Sequence, residues 1–334
     1  MAQYYMGVPS PTTIITCLSL LLVLDFAVVV LRFYARKRTR QFFQADDWLT
    51  VPSLVFSVIM ATNMLYGVAT KKLGYPINSL EDMTRGIPTR KHEYVTITIA
   101  PIALALVKLS CLFLYRRMFV VDKRNRCDSR NLFFAASISI MILWGSSISL
   151  SYLFVCKTRW ELLWGPPWEA AGRCLDYMKL GDMFIYSDFA TDVLVLLIPI
   201  PFVWRLRLSL KKKAAVIGIF LLGILASVAS LLRMLWMRWS REVGFDPNLD
   251  EALMTTFSLF WFSLEVQIGL LAACLPTLAS LFRGIKLSKS VKTWWSSRSG
   301  SRSDNSPFPK VANSQILGSG QSLVLMTEHP STGK

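Results

Sequence analysis

The chain is 334 residues long, 53% hydrophobic and only 17% charged, with 37 basic residues against 21 acidic ones and a net charge of +16. Soluble domains carry about 25% charged residues, so composition excludes an ordinary soluble fold. Nucleic acid is excluded as the partner too, because the cations sit in short clusters at the ends of apolar segments. That distribution fits cytosolic loops and anionic lipid head groups.

In chain order, seven segments are apolar enough and long enough to cross a bilayer, whose core of about 30 Å needs roughly 20 residues of helix. They are Thr12–Tyr34, Asp47–Ala69, Tyr94–Tyr115, Asn131–Val155, Leu180–Val203, Ala214–Met237 and Ala252–Leu275. Met1–Pro11 has no positive region, so the first segment is expected to stay as an anchor and not to be cleaved as a leader. The first connection carries Arg36, Lys37, Arg38 and Arg40. The third carries Arg116, Arg117, Lys123, Arg124, Arg126 and Arg130 against Asp122 and Asp128. The fifth carries Arg205, Arg207, Lys211, Lys212 and Lys213 with no acid, and the sixth sets Arg238 and Arg241 against Glu242, Asp246, Asp250 and Glu251. The positive-inside rule then places connections one, three and five and the C-terminus in the cytosol, and the N-terminus outside or in a lumen. The expected architecture is an all-α, polytopic bundle of seven transmembrane helices. Residues 1–11 form an external N-terminus, 12–283 the membrane domain and 284–334 a disordered, basic, Ser-rich cytosolic tail.

Cys156 and Cys174 bracket the fourth connection on the oxidising side and are predicted to form a disulfide, whereas Cys17, Cys111 and Cys274 lie in spans. The same connection holds Trp160, Trp164, Gly165, Pro166, Pro167 and Trp168. Its composition favours an interfacial aromatic belt over a lid above a ligand site.

Ionisable groups inside a bilayer are costly and point to function by default. Asp25 lies in span one, Lys108 in span three, Asp182, Asp188 and Asp192 in or near span five, Arg233 in span six and Glu265 in span seven. Spans five and six run antiparallel, so Asp188 and Arg233 can approach one another, and Asp192 shares the Asp188 face. The spacing allows either an ion pair that fixes helix register or a polar intramembrane pocket of Asp188, Asp192, Arg233, Glu265 and Lys108. Glu265, beside Gln267, has no obvious partner, and Lys108 is free to snorkel toward the cytosolic head groups. Retinal is not expected, because the last span contains no lysine for a Schiff base. No metal is expected either: His92 and His329 stand far apart, and no HExxH, paired-His or CxxC pattern occurs. The phosphate-binding and nucleophile-elbow motifs are also missing, so no cofactor and no familiar catalytic site are expected.

Five segments in order carry a resemblance: DDWLT at Asp46–Thr50, KLSCLFLYRRMF at Lys108–Phe119, the cysteines and tryptophans of connection four, the long stretch Asp188–Met234 with its IPIP, and CLPTLASLF at Cys274–Phe282. Together they resemble the fungal rhodopsin-like integral membrane proteins, the group that includes the satratoxin-cluster membrane protein. The likeness covers roughly residues 15 to 283. Each motif also has an architectural reading; Asp46 and Asp47, for example, cap span two and complement its dipole. The chain departs from the family pattern after span two, where Val68–Lys72 and Gly74 stand in place of an expected histidine. The resemblance implies two uses, as a receptor for external cues or as an accessory membrane protein or membrane-embedded catalyst of secondary-metabolite (mycotoxin-type) biosynthesis; with no catalytic motif, the leading expectation is a non-enzymatic accessory or receptor-like component of such biosynthesis. An apolar small molecule is then the expected ligand, and a cytosolic protein, docking on connections three and five and the tail, the expected partner. Alternatives are a G-protein-coupled-receptor-like sensor of external cues and an acid-catalysed, membrane-embedded cyclase using Asp188, Asp192 or Glu265.

Overall fold

The computed structural model describes residues 9–38, 40–75, 86–119, 129–157, 159, 161–164, 173–201, 210–242 and 251–284. All described regular structure is helical: α1 Pro11–Arg38, α2 Ala45–Trp48, α3 Thr50–Ala69, α4 Gly86–Phe119, α5 Ser129–Leu153, α6 Glu161–Trp164, α7 Tyr177–Leu197, α8 Leu210–Glu242 and α9 Glu251–Gly284. Six helical stretches among the described residues are long and apolar enough to cross a membrane: α1, α2 with α3, α4, α5, α7 continued to Pro201, and α9. The seventh long helix, α8, packs between α7 and α9. The protein is thus a multi-pass membrane protein, and its immediate surroundings are the lipid bilayer. The 34 residues of α4 and of α9 make helices of about 50 Å at a rise of 1.5 Å per residue. They outrun the hydrocarbon core, which is why each predicted span is shorter than its helix.

Side-chain pairs fix the relative direction of the helices. Arg116 meets Asn131 while Tyr94 meets the Leu153 carbonyl, so α4 and α5 are antiparallel. Trp144 meets Ser187 and Tyr152 meets Tyr177, which reverses α7 against α5. Arg233 reaches Asp188 and Gly223 faces Leu196, so α8 runs against α7. Arg233 with Glu265 and Trp236 with Phe257 reverse α9 against α8. Arg32 contacts the Ala273 carbonyl and Arg36 contacts Thr277, both at the same sequence offset, so α1 and α9 are parallel. From α4 to α9 the long helices thus alternate in direction, and α1 runs with α9.

The bundle is apolar outside and polar within. In α1 the buried positions Ile14, Leu18, Asp25, Val29, Arg32 and Arg36 form one stripe at helical spacing. The opposite face shows Leu20, Val23 and Phe26 to the surroundings, and Leu143 of α5 and Met183 of α7 are 67% and 70% exposed. Lipid tails are as apolar as these side chains, so burial of grease does not drive helix association here; close packing and interhelical hydrogen bonds do. A central core of Val29, Met60, Ile97, Leu104, Tyr152, Phe184, Phe262 and Val266 joins helices from both halves of the chain. Phe184 and Phe262 stack at 4.9 Å.

At the end reached by α5 and α7, the predicted Cys156–Cys174 disulfide is present, with Cα atoms 4.2 Å apart. The Leu175 N–H donates to the Val155 carbonyl at 2.8 Å beside it. Closing a loop of 18 residues contributes about 3 kcal/mol by loop entropy. Asp176 then caps α7 by accepting the Lys179 N–H at 3.3 Å. That bond and the Lys179 side chain hold its carboxyl below the usual carboxylate range. In connection four, Trp164 belongs to α6, but Trp160 and the Gly165–Trp168 stretch lie outside the described residues. So do connections five and six in the main, the centre of connection three, and the tail from residue 285.

Close approach of α4 and α5 depends on one glycine. A Cβ at Gly145 would stand 2.5 Å from the Ala105 Cβ and 3.1 Å from the Pro101 carbonyl oxygen. Gly145→Ala should therefore cost about 1–3 kcal/mol through overpacking. It should lower the thermal midpoint of the full chain in lipid nanodiscs, followed by tryptophan fluorescence; an unchanged midpoint would mean that the two helices separate without penalty.

Candidate functional site

Four helices bring five charged side chains together near the middle of the bundle. Lys108 of α4 donates from Nζ to Asp188 Oδ1 at 2.7 Å, to Thr191 Oγ1 at 2.8 Å and to the Asp188 carbonyl at 3.2 Å. Its Nζ also stands 2.9 Å from Asp192 Oδ1. Arg233 of α8 is fully buried and divides its fork, Nη2 donating to Asp188 Oδ2 and Nη1 to Glu265 Oε2 of α9. Asp188 therefore bridges the two cations, one oxygen to each. Asp192 falls one turn after Asp188 on α7, which is why both carboxylates reach the same ammonium.

Aromatic rings close the network from the sides. The Arg233 guanidinium lies 3.8 Å from the centroid of Phe262, and Lys108 Nζ lies 4.9 Å from that of Trp144. In low dielectric, such ring faces add to the stabilisation of a cation. Trp144 is held in place by donating from Nε1 to Ser187 Oγ at 3.0 Å.

This arrangement corrects two sequence expectations. Lys108 does not snorkel to the head groups. Two carboxylates one turn apart on α7 offer its ammonium a neutralising site inside the bundle, closer than water. Glu265 is not partnerless either, because Arg233 has two terminal nitrogens and reaches α9 as well as α7. Arg233 and Asp188 do meet, but within a five-residue network and not as an isolated pair.

The network is closed yet not fully satisfied. Two cations stand against three carboxylates, and Asp192 Oδ2, Glu265 Oε1 and Arg233 Nε have no hydrogen-bond partner among the described residues. Asp188, Asp192 and Glu265 offer oxygens within 4.8 Å of one another, a spacing that suits a bound cation. The ammonium and guanidinium already take up that role. Chemically the site can hold charge, switch partners among five groups, and offer two free carboxylate oxygens to a polar atom entering from between the helices.

A second ionic cluster escaped the sequence reading. Arg32, fully buried in α1, donates from Nε to Asp47 Oδ1 at 2.8 Å and from Nη2 to Asp46 Oδ2 at 2.7 Å. One turn on, Arg36 repeats the pattern at 3.1 and 3.0 Å, so two arginines clasp two aspartates. Arg32 Nη1 also donates to the Ala273 carbonyl of α9, and the Ser110 hydroxyl of α4 donates to the Asp46 carbonyl at 3.0 Å. Asp47 still accepts the Gln44 N–H at 3.2 Å, as a residue in the first turn of a helix should. The legible signal was an i,i+4 arginine pair at the end of one apolar segment followed by adjacent aspartates at the start of the next. Counting Arg36 as a water-facing loop cation concealed it.

A model of the fungal rhodopsin domain matches residues 31–284. The chain is 26% identical over 296 residues to the polyenoic acids biosynthesis gene cluster protein Ba17b of Metarhizium anisopliae, a match covering 84% of this chain and 76% of that protein. It is 28% identical over 193 residues to an SAT4 family membrane protein of Emericella nidulans, covering 56% and 44% of the two chains. It is 23% identical over 263 residues to the receptor GIN3 of Arthrobotrys oligospora, covering 78% and 59%. The chain thus spans less than two thirds of the length of the latter two relatives. No solved structure matches it.

Removing one member of a buried ion network leaves its partners uncompensated, at a cost of about 3–5 kcal/mol. Arg233→Met should destabilise the full chain by that amount, because Asp188 loses one of two cations and Glu265 the one cationic hydrogen-bond donor it has among the described residues. Adding Glu265→Gln to Arg233→Met should restore part of the loss, since one uncompensated charge is removed. Thermal unfolding of both variants in nanodiscs checks this; strictly additive losses would dissolve the coupling.

Proposed function

The chain belongs to the fungal rhodopsin domain family, and on that premise we propose that it is a non-enzymatic, receptor-like accessory protein of fungal secondary-metabolite biosynthesis. In this reading the N-terminus faces outward and the C-terminus the cytosol, the arrangement that the clustered cations of connections three and five favour. An apolar small molecule enters from the lipid between helices and meets the Lys108–Asp188–Asp192–Arg233–Glu265 network. A cytosolic protein reads the result on the basic connections.

The observation that carries the proposal is the linkage of α4, α7, α8 and α9 through one set of buried charges. A general acid needs a proton to give and space for a substrate beside it. Here Asp188 spends both oxygens on cations, and Glu265 and Asp192 spend one each. A network with more acid than base, and with donors that have alternative acceptors in reach, suits a two-state packing element better. The Metarhizium relative's name, which ties it to a biosynthesis gene cluster, supports the metabolite setting. The Arthrobotrys relative's name supports the receptor-like part.

The test is deletion of the gene, complemented with the wild-type gene or with Glu265→Gln, followed by metabolite profiling. Deletion should lower a whole set of related products evenly, with no precursor accumulating, and Glu265→Gln should fail to restore them. One discrete precursor accumulating, and being converted by the purified protein in nanodiscs, would replace this reading with the enzymatic one. Full rescue by Glu265→Gln would remove the network from the function.

A further inference from the structure

Interior acids differ in how they are neutralised. Asp46 and Asp47 face Arg32 and Arg36, and Arg117 approaches Asp46 Oδ2 to 3.7 Å. Lys108 and Arg233 are both claimed by the carboxylates of α7 and α9. One further fully buried acid remains among the described residues. Asp25 of α1 is 0% exposed, and among the described residues neither of its carboxylate oxygens meets a partner at full hydrogen-bond geometry.

Among the described residues, the surroundings of Asp25 supply polarity but no ion-pair partner. The α1 helix packs on α3 and α9. From α3 the buried Ser57 hydroxyl faces the Asp25 carboxyl at the edge of hydrogen-bond reach, short of full hydrogen-bond geometry. From α9 the Cys274 thiol, fully buried, lies within electrostatic reach of the carboxyl. Along α1 itself the nearest charged residue is Arg32, about 10 Å away by helical rise, and Asp46, Asp47 and the Ala273 carbonyl already hold it. A carboxylate with no cation beside it and at most one marginal hydroxyl donor would bear most of the loss of its hydration in a membrane interior, several kcal/mol. Protonation abolishes that charge, and the resulting O–H can turn to the Ser57 oxygen.

We propose that Asp25 is a proton-binding site of the α1–α3–α9 interior. The packed bundle holds it as the neutral acid. A packing in which α1 parts from α3 and α9, so that water reaches the carboxyl, releases the proton from the O–H and leaves the carboxylate. The equilibrium between the two packings then depends on pH, the packed state losing ground as pH rises. The role is distinct from that of the five-residue network, whose charges are held by one another.

Infrared spectroscopy of the full chain in nanodiscs tests the proposal directly. At neutral pH the wild type should show the carbonyl stretch of a neutral carboxylic acid, and Asp25→Asn should lose one such band. Ser57→Ala should shift that same band, which keeps the proposal testable if Asp25→Asn fails to fold. The thermal midpoint of the wild type should fall from mildly acidic to mildly alkaline pH by more than that of Asp25→Asn, and exchanging sodium for choline should change neither. An identical carbonyl region in wild type and Asp25→Asn overturns the proposal, as does a band indifferent to Ser57→Ala. Stabilisation by sodium that is lost in Asp25→Asn also overturns it, in favour of a bound monovalent cation.

Discussion

Charge cannot be left alone in hydrocarbon, and the internal architecture of this bundle follows from that constraint. Between charges 4 Å apart, the Coulomb energy rises from about 1 kcal/mol in water to several at a protein-like dielectric. Loss of hydration works in the opposite direction and is larger for an unpaired ion. Every buried arginine and lysine described here accordingly faces carboxylates within hydrogen-bond distance, and the helices are placed so that this is possible. Lipid exerts little pull of its own on apolar faces. The polar interior therefore decides which helices are neighbours, while tight contacts such as Gly145 against Ala105 decide how closely they approach.

The two ionic clusters share a helix. Glu265 of α9 belongs to the network with Lys108 and Arg233, and Ala273 and Thr277 of the same helix belong to the cluster with Arg32 and Arg36. The rise from Glu265 to Ala273 is about 12 Å along a helix. A shift or rotation of α9 that disturbs one cluster must therefore strain the other. The Lys108 helix makes a second connection, because Ser110, two residues on, holds the Asp46 carbonyl. Both α4 and α9 contain a proline, Pro101 and Pro276. Missing N–H groups at these points relieve the backbone of hydrogen bonds that would resist bending. Coupling between the membrane middle and one end of the bundle is thus built from contiguous bonds and two helices with weak points.

How far the chain could be read in advance follows from the same physics. Apolar runs near 20 residues are set by bilayer thickness, so the seven segments and their alternation were legible. Helix ends were not, because α4 and α9 continue beyond the lipid, where no apolar requirement marks them. The disulfide was legible because two cysteines fell in one connection on one side. Pairing inside the bundle was only half legible. Asp188 and Arg233 announced themselves by depth, but Lys108 had two equally good outlets, a head group or a carboxylate, and only three-dimensional packing chooses between them. Arg32 and Arg36 were hidden for a related reason. A rule that counts arginines near a span end treats each as solvated, whereas adjacent acids at the start of the next helix can draw them inside.

Family membership adds less than the geometry about what the protein does, since one helical plan carries relatives named for gene clusters and one named as a receptor. The distinction lies in how the interior uses its surplus acid. Were the third carboxylate of the network only structural, two would have sufficed to neutralise Lys108 and Arg233. The extra one leaves Asp192 and Glu265 each with an oxygen that has no partner. A scaffold selected for stability alone would replace such groups with apolar side chains at no loss and often at a gain. Their presence in a closely packed interior is what the proposed switching role requires, because a partner change needs an acceptor oxygen that the resting arrangement leaves open.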